Sequence, residues 1–262
     1  MIPGASAGGP SPLAGKHALV TGGSSGIGAA TTALLARYGA DVVVLDRDPE
    51  GGAAVVDRVN GAGVRGHFLE LDVAQTNRIA AAVAQAIELL GSIDILVNCA
   101  AITGRPAAVT LLGLSEETWT MLYRINVTAP FLFMKHVGRH MVERGAGGRI
   151  VNVGSSSAHR AASSPAYGSS KAALAQLGRS AAAELAPHNI NVNTVAPGPT
   201  RTPFSGKPEE ESERAVREGP NANLFGRVSE PEDVAAAIAF LCLPESRQIT
   251  AQTIHVSAGA VV

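Results

Sequence analysis

Tyr167 and Lys171 stand four residues apart in a 262-residue chain that holds three tyrosines. On a helix that spacing puts both side chains on one face, and such a pair can handle a proton. A free phenol loses its proton near pH ~10. Bringing it toward ~7 asks for about 4 kcal/mol of preferential stabilisation of the phenolate, at roughly 1.36 kcal/mol per unit. A neighbouring ammonium is one source of it. Far upstream, Thr21–Gly28 reads Thr-Gly-Gly-Ser-Ser-Gly-Ile-Gly. Glycines let a backbone turn tightly and approach a pyrophosphate, whose charge suits the N–H groups opening a helix. Gly22, Ser24, Ser25, Gly26, Ile27 and Gly28 are the candidate contacts. Asp46 lies 18 residues after Gly28. A carboxylate there can accept both hydroxyls of a ribose and would repel a 2′-phosphate, so NAD is expected ahead of NADP. Arg47 beside it keeps NADP open, because an arginine can hold that phosphate.

These residues need a scaffold that brings distant segments together, and the punctuation of the chain supplies one. Strands are expected at His17–Thr21, Asp41–Asp46, His67–Leu71, Ile93–Cys99, Arg149–Val153, Asn191–Val195 and Thr253–Val256. Between them run helical stretches: from the Gly-rich turn to about Tyr38, from Pro49 to Asn60-Gly61, from Thr76 to Leu90, and from Ser164-Pro165 through Leu185. A long helix is expected from Ser115 to about Gly145, bent near Pro130. Ser229–Glu232 reads as a capping box opening a last helix that ends near Leu243. Alternation of this kind predicts an α/β fold, a single domain built on a doubly wound, mostly parallel, Rossmann-type sheet of about seven strands with helices on both faces. Residues 1–12, rich in Gly, Ala, Ser and Pro, read as a flexible tail before a domain over 13–262. Residues 203–224 are the least regular internal stretch, with the acidic run Glu209-Glu210-Glu211, and read as a substrate loop.

Together these features resemble the short-chain dehydrogenase/reductase family, from about Leu13 to Gly259. Its TGxxxGxG fingerprint is Thr21–Gly28 and its YxxxK is Tyr167–Lys171. The resemblance implies that Asn126, Ser155, Tyr167 and Lys171 form the catalytic set, with Ser155 holding the substrate oxygen and Asn126 orienting a proton relay near Lys171. It further implies that Asp72-Val73 contact the adenine and that Asn98 and Ala100 flank the cofactor. Pro197, Gly198, Thr200 and Thr202 would clamp the nicotinamide, while Tyr167 and Lys171 would also touch the cofactor. Cys99 and Ala101 depart from the family's Asn and Gly, and Ala251, Ser257 and Ala258 depart from its C-terminal pattern. The implied activity is hydride transfer between NAD(H) and a secondary alcohol or ketone, in a homo-oligomer expected to be a tetramer. A sugar epimerase or dehydratase and a non-catalytic nucleotide-binding regulator are the competing readings. The former is longer and spaces its glycines as TGxxGxxG, and the latter would not need all four catalytic positions filled.

Composition narrows the field further. A net charge of −1 gives no reason to expect nucleic acid. No run approaches the ~18 apolar residues of a membrane span, and the N-terminus lacks the pattern of a secretion signal. Two cysteines, Cys99 and Cys242, suit buried reduced thiols and a cytoplasmic setting. His136 and His140 share a helix face but lack the HExxH pattern, so no metal is expected. Ser155, His159 and an Asp could imitate a hydrolase triad, but the serine lacks a GxSxG elbow. His159 or Arg160 is a possible contact for a polar substrate group, from position alone.

Overall fold

The valine-rich run of the second strand shows what the sheet is for. Val42, Val43, Val44 and Leu45 are all 0% exposed, as a parallel strand covered on both faces requires. The computed structural model describes residues 11–103, 110–161, 164–206, 208–218 and 222–260. Its seven strands are β1 (His17–Thr21), β2 (Asp41–Asp46), β3 (Gly66–Glu70), β4 (Ile95–Asn98), β5 (Gly148–Val153), β6 (Ile190–Pro197) and β7 (Thr253–Val256). They form one sheet in the order β3-β2-β1-β4-β5-β6-β7, and every pair is parallel.

Helices cover both faces. On one face lie α1 (Gly26–Arg37), α2 (Pro49–Gly61) and α8 (Pro231–Cys242), packed on Val20, Val44, Val97 and Val151. On the other lie α3 (Ile79–Leu90), α5 (Ala129–Arg144) and α6 (Pro165–Leu185), packed on Leu19, Val43, Leu96 and Ile150. Successive strand residues serve opposite clusters, the two-residue period of a pleated strand. The strand order places β1 and β4 side by side while their chain connections run in opposite directions across the sheet. That makes a crevice outside their carboxyl ends, where ligands bind in such sheets.

Several boundaries differ from the sequence expectation. The strand expected at Ile93–Cys99 is trimmed to Ile95–Asn98, because Ile93 gives its N–H to the His140 ring at 3.2 Å. The single long helix is three segments: α4 (Glu116–Tyr123), a π-helical turn (Arg124–Thr128), then α5. Pro130 has no N–H for the Asn126 carbonyl, its normal i−4 partner, so the wider turn sits just before it. The stretch 203–224 holds α7 (Glu209–Arg217), whose first turn is the acidic run, a placement the helix dipole favours. The N-cap of α8 is Glu230 rather than Ser229, with the Glu230 N–H donating to the Asp233 carboxylate at 2.9 Å. Ser229 instead pairs its backbone with Pro199 and Arg201. Of the expected tail, residues 1–10 lie outside the described residues; Leu13 is buried and gives its N–H to the Tyr38 carbonyl.

Candidate active site

The turn after β1 builds one wall of the site by bringing two backbones into contact. A Cβ on Gly22, whose φ is +66°, would lie 2.7 Å from Ala100 Cα; one on Gly28 would lie 1.9 Å from the Gly22 carbonyl oxygen. No larger residue fits either place, and α1 opens directly after the turn, where the unpaired amides of a helix's first turn suit an anion. Thr21, 2% exposed, locks the arrangement: its hydroxyl oxygen accepts the amides of Cys99 at 3.2 Å and Ala100 at 3.3 Å. Thr21 was passed over in the sequence, although its place at the head of the fingerprint was the available signal.

A cleft of about 480 Å³ follows the carboxyl ends of the strands. It runs from Leu45, Asp46, Arg47, Leu71, Asp72 and Val73 past the Gly-rich turn to Ser155, Tyr167 and Lys171. Four strand spacings of ~4.8 Å separate β2 from β6, about 19 Å, a span suited to an extended two-headed ligand. Gly22, Ser25, Gly26, Ile27, Gly28, Ala100, Pro197, Gly198, Thr200 and Thr202 also line it.

Three residues of the expected site, two read as cofactor contacts and Asn126 read as orienting, lie behind the wall. Ser24 is buried, donating its N–H to the Asp46 carboxylate at 3.1 Å and its hydroxyl to the Asp48 carbonyl at 3.3 Å. It holds Asp46 in place. Asn98, 2% exposed, donates its amide to the Asn152 side-chain oxygen at 2.9 Å, joining β4 to β5 beneath the cleft. Asn126, fully buried in the π turn, clamps Ile102: it accepts the Ile102 N–H at 2.9 Å and donates to the Ile102 carbonyl at 3.0 Å. Its amide also reaches the Ser170 hydroxyl at 3.1 Å, and Ser170 donates to the Tyr167 carbonyl at 2.8 Å. A continuous chain thus runs from the cleft wall at Ile102 to the backbone of Tyr167. Ser170 and Asn152 were missed because a buried polar residue inside a helix or strand leaves no mark in sequence.

Tyr167 and Lys171 project from the first turns of α6 toward the end of β5, where Ser155 caps the short turn Ser156–His159 and accepts the Ser157 N–H at 3.1 Å. The Lys171 ammonium donates to the Val153 carbonyl at 2.8 Å and lies 5.9 Å from the Tyr167 ring centre. Burial lowers Lys171 to about 8, with the neighbouring Cys99 pulling the other way. Burial pushes the Tyr167 phenol up to about 12, opposed by its hydrogen bond with Ser155. The chain's own groups therefore do not supply the lowered phenol expected from the Tyr–Lys pair. A desolvated phenol loses more by burial than one hydrogen bond returns. Cys99 also lines the cleft, its thiol pushed by burial to about 12 and so inert as a nucleophile.

The loop expected to cover the substrate enters the site at its first residues. Pro203 and Phe204 line the cleft, and the Phe204 ring is 6.3 Å from that of Tyr167. Arg201 fastens the next stretch, pairing with Glu209 and Glu213 of α7 and with Glu230 at the head of α8. His159 and Arg160 do not line the cleft; the His159 ring meets His255 of β7 edge to face at 4.7 Å. Among the described residues no group of three or more His, Cys, Asp or Glu could hold a metal, and no helix is long and apolar enough to cross a membrane.

Comparison with known proteins covers nearly the whole chain. A family model described as enoyl-(acyl carrier protein) reductase matches residues 22–261. The short-chain reductase protein NovJ of Streptomyces niveus is 37% identical over 246 residues, 92% of each chain. The crystal structure of a short-chain type dehydrogenase/reductase from Mycobacterium marinum is 31% identical, with a TM-score of 0.86 over 96% of this chain and 97% of that one. A short chain dehydrogenase from Mycobacterium paratuberculosis, solved bound to NAD, is 28% identical, with a TM-score of 0.86 over 95% and 98%.

Proposed function

The chain belongs to the short-chain dehydrogenase/reductase family, and on that premise we propose that it moves a hydride between NAD(H) and a small-molecule secondary alcohol or ketone. The observation that carries this reading is the convergence of Tyr167, Ser155 and Lys171 at one end of a cleft whose other end holds the Gly-rich turn and Asp46. The NAD bound by the Mycobacterium paratuberculosis relative supports the same cofactor here. The glycines whose Cβ positions are already filled by backbone fit a pyrophosphate, and the Asp46 carboxylate fits a ribose with free hydroxyls.

The nicotinamide supplies the hydride chemistry and, when oxidised, a positive charge. The rest falls to the chain. Tyr167 exchanges the proton with the substrate oxygen, and Ser155 holds that oxygen. One of the three Lys171 donors is fixed on Val153, which leaves two for a ribose hydroxyl and a proton relay. Asn126 works as a positioning residue, through Ile102 on one side and Ser170 on the other. Asp72, Val73, Pro197, Gly198, Thr200 and Thr202 complete the cofactor walls. With its phenol held near 12, Tyr167 is protonated at neutral pH, the form that gives a proton to a ketone. Running the reaction as an oxidation asks for a lowered phenol, to which the Lys171 ammonium, 5.9 Å from the ring centre, and the charge of an oxidised nicotinamide would contribute. Residues 203–224 form the substrate loop of this reading, entering through Phe204. A homotetramer with two-fold symmetry would cover the exposed apolar side chains Trp119, Met121 and Phe131 along α4 and α5. A cytoplasmic setting would keep Cys99 and Cys242 as thiols.

The test is Tyr167→Phe, assayed by NADH binding and by turnover on a panel of ketones. NADH affinity is expected to stay within about 2-fold of the parent while turnover falls by about 10²–10⁴-fold. Near-normal turnover in the variant overturns the assignment. NADH binding with no turnover by the parent on any substrate favours the nucleotide-binding regulator instead.

A further inference from the structure

The end of the sheet opposite the catalytic cleft carries a second cavity, of about 410 Å³, at the amino ends of β5 and β6. Two arginines line it, Arg149 and Arg247, and among the described residues no carboxylate does. Arg149 lies second in β5, on the face shared by Val151 and Val153, beneath α8. One guanidinium nitrogen donates to the Gly148 carbonyl at 2.9 Å, but its Nε is buried with no hydrogen-bond partner. No ion pair reaches it among the described residues. Arg144 at the same end also buries its Nε without a partner but has an ion pair with Asp94 at 2.9 Å, so the difference lies in the missing carboxylate. The nearby carboxyl end of α8 does not fill the gap: its Leu241 and Leu243 carbonyls accept the buried Ser246 hydroxyl, at 3.0 and 2.9 Å. A guanidinium has five donors, and leaving even one of them, the Nε of half-buried Arg149, buried and unmatched is costly. Burial accordingly lowers its affinity for its proton.

The rest of the wall is held by its own hydrogen bonds and offers two further donors, from Thr250 and Gln248. Asn191 gives its amide protons to the Arg247 and Ile249 carbonyls, at 3.0 and 2.9 Å, which pins the segment carrying Arg247. The Thr250 hydroxyl oxygen accepts the Val192 N–H at 3.1 Å, leaving its own proton free. Gln248 adds an exposed amide.

We propose that this cavity binds a small oxyanion, a phosphate or carboxylate group held by Arg149 and Arg247. The planar guanidinium fork matches the paired oxygens of either group, and neither arginine has a carboxylate partner among the described residues to compete for it. The site is separate from the dinucleotide cleft and stands whatever the reaction proves to be.

The experiment is a melting titration of the full chain with inorganic phosphate and, separately, acetate, against chloride at matched ionic strength. Each is run with and without NADH, so that an anion seated in the Gly-rich turn is recognised by its displacement. Wild type is expected to gain about 2–4 °C once the anion exceeds its Kd several-fold, with NADH present. Arg149→Met and Arg247→Gln should both lose the gain. In chloride alone Arg149→Met should melt at or near wild type, because an apolar side chain replaces a half-buried cation that has no ion pair. The arm that shows the gain, phosphate or acetate, names the ligand group. No gain with either anion overturns the proposal, as does a gain that survives in both variants. Arg149→Met melting well below wild type in chloride, with an unresponsive Arg247→Gln already matching wild type, would reduce Arg149 to a packing element.

Discussion

Two carboxylates at opposite ends of the sheet are handled in opposite ways. Asp94, just before β4, is met by charge: the Arg144 guanidinium at 2.9 Å, the Lys16 ammonium at 3.3 Å, and the His17 N–H at 3.0 Å. Asp46, at the end of β2, is met by no cation among the described residues. Its oxygens accept the amides of Ser24 at 3.1 Å, Arg47 at 2.7 Å and Asp48 at 3.3 Å, and it faces the cleft. The same division separates Arg144 from Lys171, whose ammonium has a backbone carbonyl and, among the described residues, no carboxylate. Charge matched by charge contributes to holding the fold. Charge held by backbone dipoles keeps its valence for a ligand. Arg149 breaks the pattern, a cation at the structural end that is treated as a functional one, and that is why it marks a second binding site.

The sharpest way to break the comparison is to remove the charge at the functional end. Asp46→Asn keeps an oxygen for the backbone amides and removes the repulsion of a 2′-phosphate. The NADH-to-NADPH preference, read from two binding titrations, should fall by about 100-fold, since a like-charge contact costs several kcal/mol. The melting temperature should barely move. A large loss of stability with an unchanged preference would place Asp46 with Asp94 as a structural charge.

Asp94→Asn is the mirror experiment and a smaller effect. It leaves Arg144 and Lys16 without their partner and should cost about 1–2 kcal/mol, because Lys16 is half exposed and screened. Turnover per folded molecule should be unchanged. Burial pushes the Asp94 carboxyl up, but the hydrogen bond from Arg144, the His17 amide and the charges of Arg144 and Lys16 together hold it below its ordinary value. Its contribution is present above the unfolded value near ~3.9 and is lost as pH falls through the lower folded value. Urea midpoints of wild type should therefore drop below about pH 4, and those of the variant should drop less.

The ends also differ in how far they could be read from sequence. The Gly-rich turn was legible because only glycine tolerates the contacts at Gly22 and Gly28, so the physical demand leaves a letter in the chain. The valine run of β2 was legible for the same reason, since burial on both faces admits little else. The π turn was not: Pro130 announces a break in hydrogen bonding, while the form of the break depends on what Asn126 finds to hold. Helix α7 was hidden because three successive glutamates read as solvated loop until the helix dipole and Arg201 are in place. Asn98 was read as a cofactor contact and Asn126 as an orienting residue of the catalytic set; neither lines the cleft, and both stand behind its wall. Sequence gives a polar residue near a strand end or in a helix, and only packing says which way it faces. The Tyr167–Lys171 spacing placed the pair on one face, but the direction in which burial moves Tyr167 depends on everything around it.

The smallest test concerns a histidine that the paired end uses neutral. His140 accepts the Ile93 N–H at 3.2 Å, which an imidazolium, a donor at both nitrogens, cannot do. Burial lowers its affinity for a proton and Arg144 adds to that, against Glu143 and Asp94. The folded state thus binds this proton later than the unfolded chain, whose value lies near ~6.5. The stability involved is fully present above that pH and is lost as pH falls through the lower folded value. His140→Gln keeps an acceptor for Ile93 and does not titrate. Between pH 6.5 and 5 its urea midpoint should fall less than that of wild type, by a slope well under the ~1.4 kcal/mol per pH unit that one whole proton allows. His136 and His255, also shifted down by burial, should leave a residual slope in the variant. The window lies above that of Asp94, so the double variant should show both losses of slope independently. Identical slopes for His140→Gln and wild type would mean that the Ile93 contact survives protonation, and that the paired end is held by Asp94 alone.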